Sequence, residues 1–548
     1  MDNRRLILLV IFSMSLVMLW DAWLKHNQPK PVAGPSVTQS ATPTPTASGQ
    51  VAAPAAAPNG ATTAERAKAP KLTVETDTVR AQISALGGDL VRLELLKHGA
   101  NNDRTKPFVL FEEGGAHSYI AQSGLIGAGL PNHKTVFALP SADKLVLKDG
   151  EQALSVRLEA PEQNGVKVAK VLTFHRGSHV IDVAYEIANG GNAAVAGHSY
   201  YQLTRDTKAA ENTAGFFGGA QTYTGPAFYT DAEKYKKVDF KTIGKGEAKL
   251  PKTAPDGWVA MVQHYFVSAY APKQGQREFF ARPLDGDLVA AGLIQPLPQI
   301  AAGQKATVSV PLYAGPQEQR ELSDLAPGLD LVVDYGWLTV IAAPIFWGLS
   351  WLHKLVGNWG WAIILLTVLI KLAFFPLSAA SYKSMAKMKT VMPRMKRIQE
   401  QYKDDRMKMN QEMMELYKKE KVNPMGGCWP MLIQMPVFIA LYWVLLGAVE
   451  MRQAPWLGWI TDLSIKDPYF ILPIIMGVTS LVQMKLSPSS PDPVQQKVMM
   501  FMPIFFTVMM AWFPSGLVLY WVVNNMLSIG QQWYITRMFD SGAKPANS

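Results

Sequence analysis

Between residues 71 and 316 hydrophobic and polar positions alternate with a period of two. In VIDVAYEI, Ile181, Val183, Tyr185 and Ile187 fall on one face of an extended chain, and Asp182 and Glu186 on the other. KLTVET, ALSVRLEA and KATVSVPLYAG repeat the pattern between turns rich in Gly, Pro, Asn and Asp. Such alternation predicts half-buried strands, and about 245 residues of it predict one large β-sandwich, set here at 71–325.

The period then changes. Residues 326–358, with Trp337, Trp347 and Trp351, read as an amphipathic helix lying in a membrane interface. Unbroken apolar runs follow at 359–377, 429–449, 469–484, 498–512 and 516–534, predicting five membrane spans in a core of 359–540. The runs at 469–484 and 498–512 are short, about 22 Å of helix against a hydrocarbon core near 30 Å, and predict local thinning of the bilayer. Another apolar stretch, 6–24, follows Arg4 and Arg5 and ends in the bulky Trp20-Asp21-Ala22-Trp23, which favours a retained anchor (1–27) over a cleaved signal. Residues 28–70 are Pro, Ala, Thr and Ser in quick succession and predict a flexible linker. The expected fold is therefore a polytopic α-helical membrane protein of six transmembrane helices, five of them forming the core, with a large all-β domain outside.

Charge sets the orientation. The segment 378–428 carries twelve Lys and Arg against six acids, whereas the 450–468 loop has only Arg452 and Lys466 as cations. The first loop is thus expected in the cytoplasm, with both termini, and the β-domain on the opposite side. Cys428 is the single cysteine, so no intrachain disulfide can brace that domain. Within the cytoplasmic segment Met385, Met388, Met392 and Met395, and then Met409 and Met413, recur at helical spacing on either side of Lys403-Asp404-Asp405, predicting a helical hairpin. Its methionines either pack the two helices together or present an adaptable surface to varied apolar segments. Its cations either form a solvated face or meet anionic lipid or ribosomal RNA.

The chemistry is sparse. His98, His117, His133, His175, His179, His198 and His264 show no metal-ligand spacing, no catalytic set stands out, and no GxxxxGK[ST] phosphate loop is present. No metal or cofactor is expected. The one anomaly is Lys371, in the middle of LTVLIKLAFFP, where a charge at bilayer centre costs roughly 2.5 to 3.5 kcal/mol. No Asp or Glu lies in the five expected core spans, which speaks against an ion-coupled transporter. Uncharged polar groups remain: Thr367 one turn before the lysine, Gln434, Gln483, Asn524, Asn525 and Gln531, which would converge with Lys371 to line a hydrated cavity.

NPMGGCWPMLIQMPVFIALYWVL (423–445), ILPIIMGVT (471–479) and FPSGLVLYWVVNN (513–525) resemble the YidC membrane protein insertases of Gram-negative bacteria, in the wider YidC/Oxa/Alb family. The resemblance extends over essentially the whole chain and includes DYGWL at 334–338. It implies a non-enzymatic inner-membrane insertase and chaperone, with a hydrophilic groove open to cytoplasm and lipid and closed toward the periplasm. Nascent membrane proteins would be its clients and lipids its surroundings. The Sec translocon would be a partner, the ribosome a further one through the basic loop, and DNA none. In this resemblance Lys371 stands where relatives commonly carry arginine, with Thr367 one turn earlier. Tyr520-Trp521 stands where two tyrosines are frequent, the second of them contacting the client. Lysine keeps the charge but loses the planar fork, and Trp521 offers one N–H donor and no acceptor. The tail RMFDSGAKPANS has only Arg537 and Lys544 as cations, so ribosome docking through a basic tail is not expected. A solute channel or transporter, or a carbohydrate-binding or carbohydrate-modifying periplasmic protein, are the alternatives. The second follows from the likeness of the family's β-domain to mutarotase-type sandwiches.

Overall fold

A computed structural model describes residues 68–100, 103–114, 117–208, 223–335, 338–403, 405–420, 429–486 and 493–542. The expected anchor and nearly all of the expected linker lie outside the described residues.

Two sheets form the β-domain. One has ten strands, running from the edge strand Thr253–Ala254 through Arg277–Leu284, Leu288–Pro296, His198–Asp206, Tyr119–Ile126, Pro107–Glu112, Leu90–Gly99, Val79–Ser84 and Lys71–Glu75 to Lys144–Val146. The last pair is parallel. The other has eight, from Lys234–Lys237 through Gly225–Thr230, Trp258–Gln263, Phe266–Tyr270, Lys305–Pro316, Val180–Asn189 and Val166–His175 to Ala153–Glu159. Their facing sides share one core that includes Ile83, Leu93, Phe111, Tyr185, Leu203, Met261 and Leu312. In Val180–Asn189, Ile181, Val183, Tyr185 and Ile187 are buried and alternate with half-buried Asp182 and Glu186, as the pattern predicts. A short helix, α1 (Phe240–Gly244), contributes Ile243 to this core.

Alternation fails in Gly225–Thr230 and Phe266–Tyr270, where every residue is buried. Both faces are covered there. Ala227, Tyr229, Trp258, Val267, Ala269 and Tyr313, on the outer face of the eight-stranded sheet, join a second core with α2 (Gln319–Leu325), a 3-10 turn (Leu329–Val332) and the helices that follow. The indole of Trp258 donates to the Pro327 carbonyl at 3.1 Å. The sheet is thus one wall of a hydrophobic core shared with the helical region.

α3 spans Thr339–Val356, the C-terminal part of the segment expected to be one interfacial helix. It buries Ala342, Ile345, Leu349 and Leu352 and exposes Val340, Trp347, Trp351 and Leu355. Gly357, at φ 68°, takes the left-handed conformation that ends it. The Asn358 side chain then accepts from the amides of Gly360 and Trp361 and starts α4 (Trp359–Ala373).

α4 is shorter than the expected 359–377 span. The chain bends by 65° after it and continues as α5 (Phe375–Gln401). Pro376 falls in the first turn of α5, where its missing amide costs nothing, so it opens the hairpin. α6 (Arg406–Lys419) returns against α5, its first turn capped by the Asp405 side chain accepting from Lys408 N at 3.0 Å. Beyond lie α7 (Trp429–Gly447), α8 (Ile471–Leu486), α9 (Pro493–Met510) and α10 (Ser515–Gly542). α10 packs on α4, α5, α7 and α8. α8 and α9 meet closely at Gly477, where a Cβ would lie 2.4 Å from Thr507 Oγ1. Their outer faces are apolar and exposed, with Ile474 and Val478 on α8 and Phe501, Ile504 and Phe505 on α9. Among the described residues, α3 alone, or the bent α4–α5 pair taken as one, has the length and hydropathy to cross a membrane; α7, α8 and α9 hold shorter apolar stretches.

Candidate functional site

Lys371 sits in the last turn of α4 and is only 4% exposed. Its Nζ donates to Ser528 Oγ of α10 at 2.7 Å. Ser528 Oγ in turn donates to the Asn524 carbonyl one turn back, also at 2.7 Å. The hydroxyl proton is therefore committed to the helix backbone and the oxygen lone pairs face the ammonium. In place of the hydrated cavity expected around Lys371, a neutral hydroxyl from another helix solvates the ammonium.

The other expected groove residues do not all gather on the lysine. Thr367 is 1% exposed and turns its hydroxyl to Ile363 O of its own helix at 2.7 Å. Asn524 contributes its backbone carbonyl through Ser528. Asn525, one residue on and rotated by about 100° around the helix, faces α8 and donates to Ser480 Oγ at 2.8 Å and Thr479 Oγ1 at 3.2 Å. Gln434 is half-buried on α7. Tyr520 is buried with its ring stacked on Phe438, 6.2 Å between centroids. Trp521 meets Phe438 edge-on at 4.6 Å and stacks on Phe506 of α9 at 6.3 Å, so its indole lies among aromatics of α7 and α9. What was expected as one polar cluster is a series of contacts along α10, toward α4, α8, and α7 with α9. Ser528 was missed; its spacing of four from Asn524 was the available signal.

The hairpin sorts its methionines. Val391 and Met395 are buried between α5 and α6, with Met388, Met413, Leu416 and Tyr417 packed against them. Met385 and Met409 are half-buried. Arg394 pairs with Glu420 across the helices. Among the described hairpin residues, the most exposed methionines are Met407 and Met414, neither of which the spacing had singled out.

On the far side, the loop between α7 and α8 is held by the β-domain. The Arg452 guanidinium lies over the rings of Phe108 and Phe266, 5.5 and 5.4 Å from their centroids, and donates to Gly99 O. Arg104 donates to Asp462 Oδ2 and to Thr461 O, each at 3.0 Å. His264 Nε2 lies 3.0 Å from Leu446 O at the end of α7. Asp467 accepts from Trp459 Nε1 and from the amides of Tyr469 and Leu472, capping α8. Beside this clamp, in the turn Val449–Met451, burial pushes the Glu450 carboxyl up to about 7, and nearby Glu318 adds to the shift. None of this was visible in a loop read only for its charge.

Comparison with known proteins bears on the whole chain. The YidC periplasmic domain profile matches residues 71–348, and the 60Kd inner membrane protein profile matches 351–542. A membrane protein insertase YidC from Aromatoleum aromaticum is 63% identical over the full length of both chains. Another, from Dechloromonas aromatica, is 58% identical over all of this chain and 99% of its own. Among solved structures, an active YidC insertase with its first transmembrane domain resolved aligns over 85% of this chain and 92% of its own, at 18% identity and a TM-score of 0.40. With one family profile covering its β-domain, another its helices, and relatives matched end to end, the chain belongs to the YidC membrane protein insertase family of the inner membrane.

Proposed function

We propose that this protein inserts and folds integral membrane proteins in the bacterial inner membrane, without consuming nucleotide. Six spans, counting the N-terminal anchor, put both termini and the α5–α6 hairpin in the cytoplasm, the β-domain in the periplasm, and α3 in the interface. The observation that carries the mechanism is the Lys371 ammonium, which among the described residues meets a hydroxyl and no carboxylate. No acid occurs in α4, α7, α8 or α9, and α10 has only Asp540, near its end. A positive charge held by neutral groups among the described residues attracts an acidic or polar client segment, while the client's apolar span slides along α8 and α10 into lipid. Burial of about 20 apolar residues supplies tens of kcal/mol in gross transfer, so the protein need only lower a barrier. The names of the full-length relatives support this reading. The Sec translocon is proposed as a partner, and the ribosome through the basic hairpin. Transport and carbohydrate chemistry are the rivals.

The test is photo-crosslinking from probes at Gln434 and Trp521 to a nascent single-span protein, paired with insertion into proteoliposomes. Crosslinks to the client's span are expected. A chain lacking residues 28–316 is expected to lose any carbohydrate activity and keep most insertion; retention of solute flux with loss of insertion would overturn the proposal.

A further inference from the structure

Lys371 is buried, yet it is the group on which client attraction depends, so something must hold it when no client is present. Ser528 has the geometry for that task. Its Oγ is 2.7 Å from the ammonium, and its own proton is spent on Asn524 O. Ser528 is itself only 2% exposed, so bulk water does not compete for its lone pairs. An ammonium carries three donors, and the described residues take one of them here. One turn along α10, Gln532 is 4% exposed, and its side-chain carbonyl has no donor among the described residues. From α5, Tyr382 OH reaches toward Ser528 O at 3.5 Å, so the bend after α4 closes over this tier.

We propose that Ser528 is a positioning residue that parks the Lys371 ammonium against α10 between insertion events, and that a carboxylate of an incoming client segment displaces it. The inference rests on the insertase reading above. A hydroxyl suits the role because it solvates a buried cation without neutralising it. A carboxylate in its place would hold the lysine in an ion pair that a client's own carboxylate would have to break. Parking also suits a lysine, since one short hydrogen bond fixes a single-point cation on a flexible stem. Ser528 touches the lysine and acts through it.

The experiment uses the full chain in proteoliposomes, as wild type, Ser528→Ala and Ser528→Thr, with Ser515→Ala, a buried serine at the opposite end of α10 whose hydroxyl donates to Asp462 O at 2.9 Å, as a control. Two quantities are read: acylation of Lys371 by a membrane-permeant amine reagent, followed by mass spectrometry, and crosslinking of paired single-span clients with acidic or neutral tails. Loss of the hydrogen bond in Ser528→Ala is expected to raise acylation by roughly fivefold or more and to raise the acidic-to-neutral crosslinking ratio. Ser528→Thr, which can make the same backbone and ammonium contacts, is expected to restore both, and Ser515→Ala to move neither. Unchanged acylation in Ser528→Ala, or a threonine variant that behaves like alanine, overturns the parking role. Lys371→Ala keeps the two readings apart. If it loses acidic clients selectively while Ser528→Ala changes nothing, only the parking inference fails. If it inserts acidic and neutral clients equally, the attraction reading fails as well.

Discussion

Gly99 and Gln453, 354 residues apart in the chain, exchange two hydrogen bonds: Gly99 N donates to Gln453 Oε1 at 3.2 Å, and Gln453 Nε2 donates to Gly99 O at 3.1 Å. A side-chain amide thus completes the end of the strand Leu90–Gly99 as a neighbouring strand would. Arg452 donates to the same carbonyl and lies over Phe108 and Phe266, which makes it the centre of the clamp. Arg452→Ala removes the side chain of a residue only 9% exposed together with both ring contacts, at a cost to docking of about 2 to 4 kcal/mol. In calorimetry of the purified protein, the β-domain and helical region are expected to melt together in the wild type and separately in the variant. A single unchanged transition would show that the shared apolar core alone holds the two regions.

Glu450 gives the same junction a pH dependence. Its carboxyl is raised from 4.5 to about 7 in the folded protein, chiefly by burial and further by Glu318. The folded state therefore binds a proton more tightly than the unfolded one. The associated stability is fully present below about pH 4.5 and is lost as pH rises through about 7, with at most about 3 kcal/mol at stake. Raising the pH from 5 to 8 should lower the unfolding midpoint, and Glu450→Gln should flatten that dependence. A wild-type midpoint that does not fall over this interval would place the ionised carboxylate in a better-solvated site.

Some of this architecture was open to sequence reasoning because it follows from local periodicity. Ile181, Val183, Tyr185 and Ile187 declare their strand by alternation, and Lys371 declares itself by being charged in an apolar run. The remainder depends on which distant elements meet. Ser528 is an unremarkable serine in an apolar helix until α10 packs on α4, 157 residues away in sequence. Asn524 and Asn525 look equivalent as neighbours, but the helical rotation between them sends the Asn525 side chain to α8 while Asn524 serves the lysine through its backbone. Pro376 closes the apolar run LTVLIKLAFFP in sequence, and only the 65° bend reveals it as part of the first turn of the hairpin. Arg452 reads as one loop cation because its partners Gly99, Phe108 and Phe266 belong to another domain.

The hairpin should prove separable from the core. Met395 is 1% exposed between α5 and α6, so Met395→Asp would bury a carboxylate among Val391, Met413 and Leu416. That costs about 3 kcal/mol or more, enough to open two helices held by one small apolar cluster and the Arg394–Glu420 pair. Limited proteolysis is expected to cut the variant near residues 402–405 while the unfolding of the core is unchanged, and insertion should fall. Paired substitution of the exposed Met407 and Met414 by Ser should leave the protease pattern intact. If that pair lowers insertion as much as Met395→Asp does, the outer methionines, and not the integrity of the hairpin, are what clients require.

Lys371 provides the decisive charge series. At an effective dielectric near 20 and a separation of 6 Å, an ammonium and a client carboxylate attract by about 2.8 kcal/mol before screening, which biases capture by roughly a hundredfold and still permits release. Lys371→Arg keeps the charge and can donate to Ser528 from a longer, forked side chain, so growth of a depletion strain and insertion should be supported. Lys371→Glu reverses the field and leaves Ser528 facing a carboxylate, so it should fail. Lys371→Ala removes the field while leaving Ser528 bonded to Asn524, so neutral clients should insert with a modest deficit and clients with acidic translocated tails should be lost most. Complementation, together with protease protection of clients whose tails carry zero, one, two or three acids, measures this directly. The wild-type advantage over alanine should grow with each added acid; an advantage independent of tail charge would make Lys371 a residue that hydrates the site and does not select what enters it.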